Sequence, residues 1–426
     1  MIFFTDNHIL KENKENNRKI PVGIDLQDPI KDPALALHER YRGKLEIRSK
    51  VPIKKRSDLS LVYTPGVASV CREIERDPFL AYRYTMKSNT IAIVTDGSAV
   101  LGLGDIGGTA AIPVMEGKAL LFKRLAGIDA FPICFEGYQT DFVDVVRNIA
   151  PVFGGINLED IAAPKCFLVE EALQDIGIPV MHDDQHGTAI TVLAALLNAA
   201  KVTGRTIEDM RVVISGAGAA GYAISRMLRG IGYEDEGAVR VNDLIVVDTK
   251  GIISRHRNGL YDNKYKFILA DETNSTERTG SLADAFEGAD AFVGVSSGGI
   301  VTSEMVRSMA DSPIVFAMAN PVPEIMPDIA EKSGAAVAGT GRSDLPNQIN
   351  NALAFPGVFR GALDACATRI SDHMKIAAAY ALAGCIKKPH SKRILPNVLD
   401  KRVVPAISAA VVKAADESGC ARSCKI

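Results

Sequence analysis

Tryptophan is absent from this chain of 426 residues, and aromatic side chains make up only 6% of it. The interior must therefore be filled by Ala, Val, Ile and Leu, the usual filling of sheets covered by helices. No apolar run approaches the roughly 18 residues of a membrane-spanning helix. An excess of one charge is also missing. With 49 Lys plus Arg against 51 Asp plus Glu, the net charge is −2, which offers no basic face to nucleic acid or to an anionic membrane. The seven cysteines are an odd number and include no Cys-x-x-Cys, so a reduced, cytoplasmic setting fits better than a disulfide framework. The opening Met1-Ile2-Phe3-Phe4-Thr5-Asp6 lacks the basic flank and long apolar stretch of a secretory signal, which carries the same expectation. Hydrophobic residues at 47% and charged residues at 23% exclude a wholly disordered chain, and the length predicts two or three domains.

What is present is alternation. Short β-branched runs at 91–96, 130–135, 178–183, 211–215, 244–248, 291–295 and 313–318 are separated by helical segments such as 116–126, 188–202, 219–230 and 281–288. This predicts an α/β protein with parallel sheets between helices. Ligands of such sheets bind beyond the carboxyl ends of the strands, so polar residues just after each strand are the ones to inspect. Residues 1–35 read as a polar N-terminal arm, and the basic stretch 50–56 as a solvated loop. A boundary falls near 201–205, where a long helix ends. It divides a first α/β domain over 36–203 from a Rossmann-type dinucleotide-binding domain over 204–375, with an Ala-rich helical segment over 376–426.

Two segments match G-x-G-x-x-G. The second, Gly216-Ala217-Gly218-Ala219-Ala220-Gly221, follows a strand directly and opens a helix, and the next strand ends in Asp248. In this pattern the first Gly makes the tight turn, the second admits a pyrophosphate, the third lets helix and strand pack, and the acid accepts from the adenosine ribose. Asp248 lies 27 residues past Gly221, against a usual spacing of about 20, and the insert Glu234-Asp235-Glu236-Gly237 accounts for the excess. The first match, Gly102-Leu103-Gly104-Asp105-Ile106-Gly107, carries its own acid where a phosphate would lie, and Asp129 precedes the next strand instead of ending it. It reads as a tight loop near the active site.

Two acidic pairs follow apolar stretches: Glu159-Asp160, and Asp183-Asp184 within His182-Asp183-Asp184-Gln185-His186-Gly187. Like charges at strand ends repel unless neutralised, and oxygen ligands from the two loops suit Mg²⁺ or Mn²⁺. The alternative is solvated acids or helix caps, Asp160 before Ile161 among them. His182 and His186 are spaced i, i+4 but lack the intervening Glu of a zinc-protease helix. Cys420 and Cys424 share that spacing without a third ligand nearby. Lys118 enters an apolar helix, where desolvation would lower its pKa toward that of a general base, or it snorkels at the surface. Tyr63, before Pro65-Gly66, reads equally well as structural. Spacing assigns neither residue.

Taken together, the segments resemble the malic enzymes. They are Tyr63-Thr64-Pro65-Gly66-Val67-Ala68, the first glycine loop, Gly117-Lys118-Ala119-Leu120-Leu121, Leu158-Glu159-Asp160, His182 through Ala189, the second glycine loop, Ala319-Asn320-Pro321 and Asn350-Asn351-Ala352-Leu353-Ala354-Phe355-Pro356-Gly357. Their order is that of the short form of bacteria and archaea, over about residues 36–420. The resemblance implies a metal-bearing N-terminal domain and a C-terminal NAD(P)-binding domain. The implied reaction is oxidative decarboxylation of L-malate to pyruvate and CO₂ with NAD⁺ or NADP⁺ and Mg²⁺ or Mn²⁺, by a homodimer. It assigns Glu159, Asp160 and Asp184 to the metal, Lys118 as general base, Tyr63 as general acid, and Asp183 as the partner that tunes Lys118. Asn320 and Asn351, with Lys118, would hold substrate, and Gly216, Gly218, Ala219, Ala220 and Gly221 the pyrophosphate. Larger members clamp a malate carboxylate with an Arg that has no counterpart before Ile91; Lys87 is a possible substitute. Asp248 favours NAD⁺, whereas Lys250 could pair with a 2′-phosphate.

Three other readings compete. A malolactic enzyme of the same family would release lactate without net NADH. A catalytically silent Rossmann-type regulatory protein would be expected to have lost Lys118, Tyr63 or one of the three acids. A metal-free amino-acid dehydrogenase would not need the acids.

Overall fold

The computed structural model describes residues 32–100, 102–136, 141–231, 238–260 and 262–422. The arm read over 1–35 lies, as far as residue 31, outside the described residues, as do the insert 234–237 and the end of the chain after 422. The chain divides into two compact units, 1–44 and 45–426. In the first, helix α1 (Pro33–Tyr41) starts where the Asp32 carboxylate accepts from the Ala34 amide. Pro33 sits in the first turn, where no N–H is required, and Arg42 ends the helix in a left-handed conformation.

The second unit opens with three short helices, α2 (Arg56–Val62), α3 (Val67–Arg76) and α4 (Leu80–Tyr84). A parallel sheet follows, built from β1 (Thr90–Thr95), β2 (Asp129–Cys134), β3 (Gly155–Leu158) and β4 (Val180–His182) in the order β2-β1-β3-β4. Helix α5 (Gly107–Ala126) joins β1 to β2. Helices α6 (Phe142–Ile149) and α7 (Lys165–Ala172) flank β3, and α8 (Asp183–Thr203) leaves β4 without a loop. Strands β1, β3 and β4 are buried throughout, as continuous apolar runs require of a sheet covered on both faces, while edge strand β2 is half-buried.

The second sheet contains β5 (Arg211–Ser215), β6 (Asp243–Asp248), β7 (Gly251–Ile252), β8 (Ala291–Gly294), β9 (Ile314–Ala317) and β10 (Val337–Thr340). Its order is β10-β9-β8-β5-β6-β7, parallel except for β7. Helix α9 (Ala219–Arg229) follows β5, α10 (Lys264–Glu272) and α11 (Leu282–Phe286) precede β8, and α12 (Ser303–Arg307) and α13 (Pro327–Lys332) alternate with the last strands. The chain builds outward through β6 and β7, then crosses to β8 on the other side of β5. The crevice for a ligand therefore lies between β5 and β8.

Helices α14 (Phe355–Asp364), α15 (Asp372–Gly384) and α16 (Val403–Glu417) complete the chain. They pack on the helices of the first sheet. Phe355 and Phe359 meet Phe122 of α5 with ring centroids 4.6 and 5.5 Å apart. Buried Asn198 of α8 donates to the carbonyls of Ala383 and Ile394 at 2.9 Å each. The sequence reading named no side for this segment.

Two readings shift. The helix expected to begin at 116 begins at Gly107 and runs through Pro113, so Lys118 lies in mid-helix and not at its entrance. A Pro usually marks a helix start or break, and it concealed the preceding two turns. Asp160 caps no helix, because the next begins at Lys165.

Candidate active site

Strands β3 and β4 are parallel neighbours, with Leu158 opposite His182. Glu159 and Asp160 follow the first, and Asp183 and Asp184 form the first turn of the helix leaving the second. The two pairs thus emerge side by side at the carboxyl edge of the sheet. One oxygen each from Glu159, Asp160 and Asp184 lies within 4.8 Å of the others. The Asp160 amide donates to Asp184 Oδ2 at 2.8 Å. Asp160 is left-handed, at φ 52°, a conformation that costs a residue bearing a Cβ about 1–2 kcal/mol and here turns two consecutive acids into one cluster.

Lys118 reaches the cluster from α5. It is buried, and its ammonium donates to Asp183 Oδ2 at 2.5 Å, pairs with the Glu159 carboxylate, and lies 4.5 Å from the centre of the Phe355 ring. Asn157 Nδ2 donates to Glu159 Oε2 at 2.9 Å. Burial raises the pKa of every acid here. Glu159 rises to about 7, and Asp160 to about 9 with the neighbouring charges of Asp184 and Glu159 adding to the effect. Asp183 is pushed up to about 6 by burial, with Lys118 opposing. For Lys118 burial acts downward, but Asp183, Glu159 and Asp184 outweigh it and hold the ammonium above the ordinary lysine value. Without a bound cation the cluster therefore does not lower Lys118, contrary to what a base at neutral pH requires.

The donor set fits a hard cation: two buried carboxylates and one half-buried, all oxygen, crowded enough to repel one another. Among the described residues this trio alone has metal-ligand geometry, and neither His182 nor His186 belongs to it. His186 Nε2 sits 3.0 Å from Glu170 Oε2, and burial lowers His182 to about 4.

The second glycine loop has the three requirements of a dinucleotide turn. Gly216, at φ 115°, would drive a Cβ to 2.4 Å from the Val295 carbonyl of the neighbouring strand's end. A Cβ on Gly221 would lie 1.8 Å from the Gly216 carbonyl, so helix α9 could not pack as it does. Gly218 has nothing within 4 Å, which leaves its backbone open to a pyrophosphate at the N-terminus of α9, with Ala219 and Ala220 in the first turn. Asp248 ends β6 as read, but its acceptors are occupied. Lys250 N–H and Arg257 Nη1 donate to Oδ1 at 2.8 and 2.9 Å, and Arg257 Nη2 and Lys266 Nζ to Oδ2 at 2.6 Å each. Burial opposes its ionisation, yet these donors hold it at about 2.

The remaining residues divide. A Cβ on Gly102 of the first glycine loop would meet the Asn320 carbonyl at 3.1 Å, so that loop abuts the Asn320 segment. Asn320 and Asn350 line one cavity of about 380 Å³. Asn351 Cβ stands 3.2 Å from where a Cβ on Gly187 would be, at the first turn of α8. Tyr63 ends α2 with 67% of its surface exposed, and no described residue hydrogen-bonds its hydroxyl. Lys87 is no carboxylate clamp. Its ammonium donates to the carbonyls of Ala150, Pro151 and Phe153 at 3.2, 3.0 and 2.6 Å, closing the end of α6 and the turn after it.

Comparison with known proteins places this geometry. Residues 42–141 match the malic enzyme N-terminal domain, and residues 185–416 match the malic enzyme NAD-binding domain. The bifunctional malic/malolactic enzyme of Bacillus subtilis is 52% identical over 398 residues, covering 92% of this chain and 95% of that protein. The chain belongs to the malic enzyme family. The NADP-dependent malic enzyme of Halomonas elongata is 45% identical over 417 residues, covering 93% and 96%. The crystal structure of the NAD-dependent malic enzyme of Thermotoga maritima superposes with a TM-score of 0.85 at 46% identity, covering 90% of this chain and 99% of that one. Sequence reasoning missed several residues of this family member's cleft. Asn157 and Phe355 sit in buried apolar surroundings with no local signal. Arg257 and Lys266 lie 9 and 18 residues past Asp248, and only the fold returns them to it.

Proposed function

We propose that this chain oxidatively decarboxylates L-malate to pyruvate and CO₂ with NAD⁺ or NADP⁺, using Lys118, Tyr63 and a divalent-cation site formed by Glu159, Asp160 and Asp184. The observation that carries the reading is the buried Lys118 bonded to Asp183 beside three clustered carboxylates. When bound, the cation would supply Lewis-acid polarisation of the C2 oxygen and the nicotinamide a hydride acceptor. Lys118 takes the C2 hydroxyl proton and Asp183 fixes its amine. Glu159 and Asp184 are two of the charges that hold the proton on Lys118, and a cation held by them would offset both and so favour the neutral amine. Asn320 and Asn351 orient the substrate, and Tyr63 returns a proton to C3 after CO₂ leaves.

The same reading includes a homodimer. Ile47, Val51, Ile53, Leu61 and Tyr63 are all more than half exposed within one short stretch of chain, more apolar surface than a solvated face ordinarily carries. A second copy of this chain would cover it, and Tyr63 lies on that face. A cytoplasmic location, Mg²⁺ or Mn²⁺ as the ion, and a division of the two catalytic domains near residue 204 belong to the same proposal; no described helix is long and apolar enough to cross a membrane.

The test is the ultraviolet absorbance of reduced nicotinamide, followed with L-malate and Mn²⁺, with NAD⁺ and NADP⁺ separately, in wild type and Lys118→Ala. A rise that needs metal and vanishes in the variant supports the reading. Malate consumed as lactate without net reduced nicotinamide would move the protein to the malolactic activity named for its Bacillus relative. Unchanged malate would sink both.

A further inference from the structure

Behind the acid-bearing turn of α8, away from Lys118, lies a second cavity of about 540 Å³ that the proposed reaction does not use. Four helices bring their first turns to its wall: α8 with Gln185 and His186, α9 with Tyr222, α10 with Lys264 and Tyr265, and α15 with Asp372 after its cap Ser371. Each N-terminus carries positive partial charge. Arg226, Lys264, Arg369 and Lys375 add four cations, against three carboxylates. One of these, Glu170, is already engaged by the His182 amide, Gln185 and His186 at 2.9, 3.1 and 3.0 Å. The apolar part of the wall is aromatic. Phe167, Tyr222 and Tyr265 form a cluster with centroids 4.1 to 5.4 Å apart. Three buried polar atoms at this wall have no hydrogen-bond partner: the hydroxyl of Tyr265, which is only 9% exposed, Nδ1 of His186 and Nε of Arg226. Unsatisfied buried donors are rare in a native fold and mark a place where a partner is missing.

We infer that this cavity is an effector site for a small organic anion bearing a planar ring. The anion would lie at the N-termini of α10 and α15, among Arg226, Lys264 and Lys375, and the ring against Tyr222 and Tyr265. Occupancy would be felt at the acids because Glu170 grips the first turn of α8 through the His182 amide, Gln185 and His186, and Asp183 and Asp184 lie in that same turn. A ligand bonding His186 Nδ1 therefore pulls on the segment that carries two of the cluster's carboxylates.

The experiment titrates AMP calorimetrically into the full-length protein saturated with NADH, so that the dinucleotide crevice is filled. The expected result is one AMP per chain. Adenosine, which lacks the anion, and ribose 5-phosphate, which lacks the ring, should each bind at least about tenfold more weakly. Lys264→Met, at an exposed position, and Tyr265→Phe should weaken AMP to a similar degree while leaving NADH affinity unchanged. Mn²⁺ affinity, read by the paramagnetic resonance of the free ion, should change when AMP is present. Failure of AMP to bind at millimolar concentration, its displacement by NADH, binding to both variants as tight as to the wild type, or an unaltered Mn²⁺ affinity would each overturn the inference. None of these readouts depends on turnover of malate, so their failure is separate from failure of the proposed reaction.

Discussion

Gly187 lies one helical turn after Asp183, and a Cβ at 187 would fall 1.8 Å from Asp183 Oδ1. The carboxylate that holds Lys118 therefore fills the space a side chain at 187 would need, with Asn351 closing the other side at 3.2 Å. Gly187→Ala must displace Asp183, Asn351 or the helix. Overpacking of this kind costs about 1–3 kcal/mol, and the acid it moves is the one bonded to the base. The expected outcome is a modest fall in melting temperature with a disproportionate loss of kcat. A variant that keeps wild-type kcat would show that the Lys118–Asp183 bond is not needed.

Lys118 is the second test. Substitution by Ala removes the proposed base, and loss of a general base commonly costs about 10²–10⁴ in rate. Lys118→Arg keeps the charge beside Asp183 and Glu159 but cannot deprotonate near neutrality. The arginine variant should hold its melting temperature better than the alanine variant and be just as inactive. An active arginine variant would remove Lys118 from the chemistry and leave it a structural counter-ion.

Much of this was legible in sequence because the residues concerned do local work. The strand at 211–215, the glycine turn and Asp248 follow from a short β-branched run, from backbone that tolerates no Cβ, and from an acid at a strand end. The acid pairs were legible as pairs, but not their convergence. That depends on β3, a four-residue strand containing a buried Asn, lying beside β4, and short strands leave almost no periodic signal. Burial by itself predicts a downward shift for Lys118. The fold reverses it by setting three acids around the amine, a fact about tertiary neighbours that no spacing contains. Lys87 looked available because its neighbours in sequence are polar, whereas its ammonium reaches 63 to 66 residues along the chain to satisfy carbonyls.

Asn157 tests the proposed metal site without altering any of its three carboxylates. Its amide donates to Glu159 Oε2 at 2.9 Å and so fixes which way that carboxylate faces. Removing a residue that orients a ligand typically lowers metal affinity about 10–100-fold. Asn157→Ala should weaken Mn²⁺ binding by that factor and restore activity at high Mn²⁺, whereas Asp184→Asn should not be rescued. Equal Mn²⁺ affinities in wild type and Asn157→Ala would count against Glu159 as a ligand.

The clamp on Asp248 predicts a pH dependence. Its carboxyl is held at about 2 in the fold, below the ordinary 3.8, by Arg257, Lys266 and the Lys250 amide. A value lowered by folding stabilises the folded form fully above 3.8, and that contribution drains away as pH falls through about 2. Arg257→Met removes two of the four donors. Hydrogen bonds to a charged group contribute about 1.5–3 kcal/mol, so the variant should melt at a lower temperature near neutrality. The gap between wild type and variant should stay constant down to about pH 4 and then close as Asp248 takes up its proton in both. A gap that persists undiminished at the lowest pH where the protein still folds would mean that Arg257 acts through packing and not through the Asp248 charge.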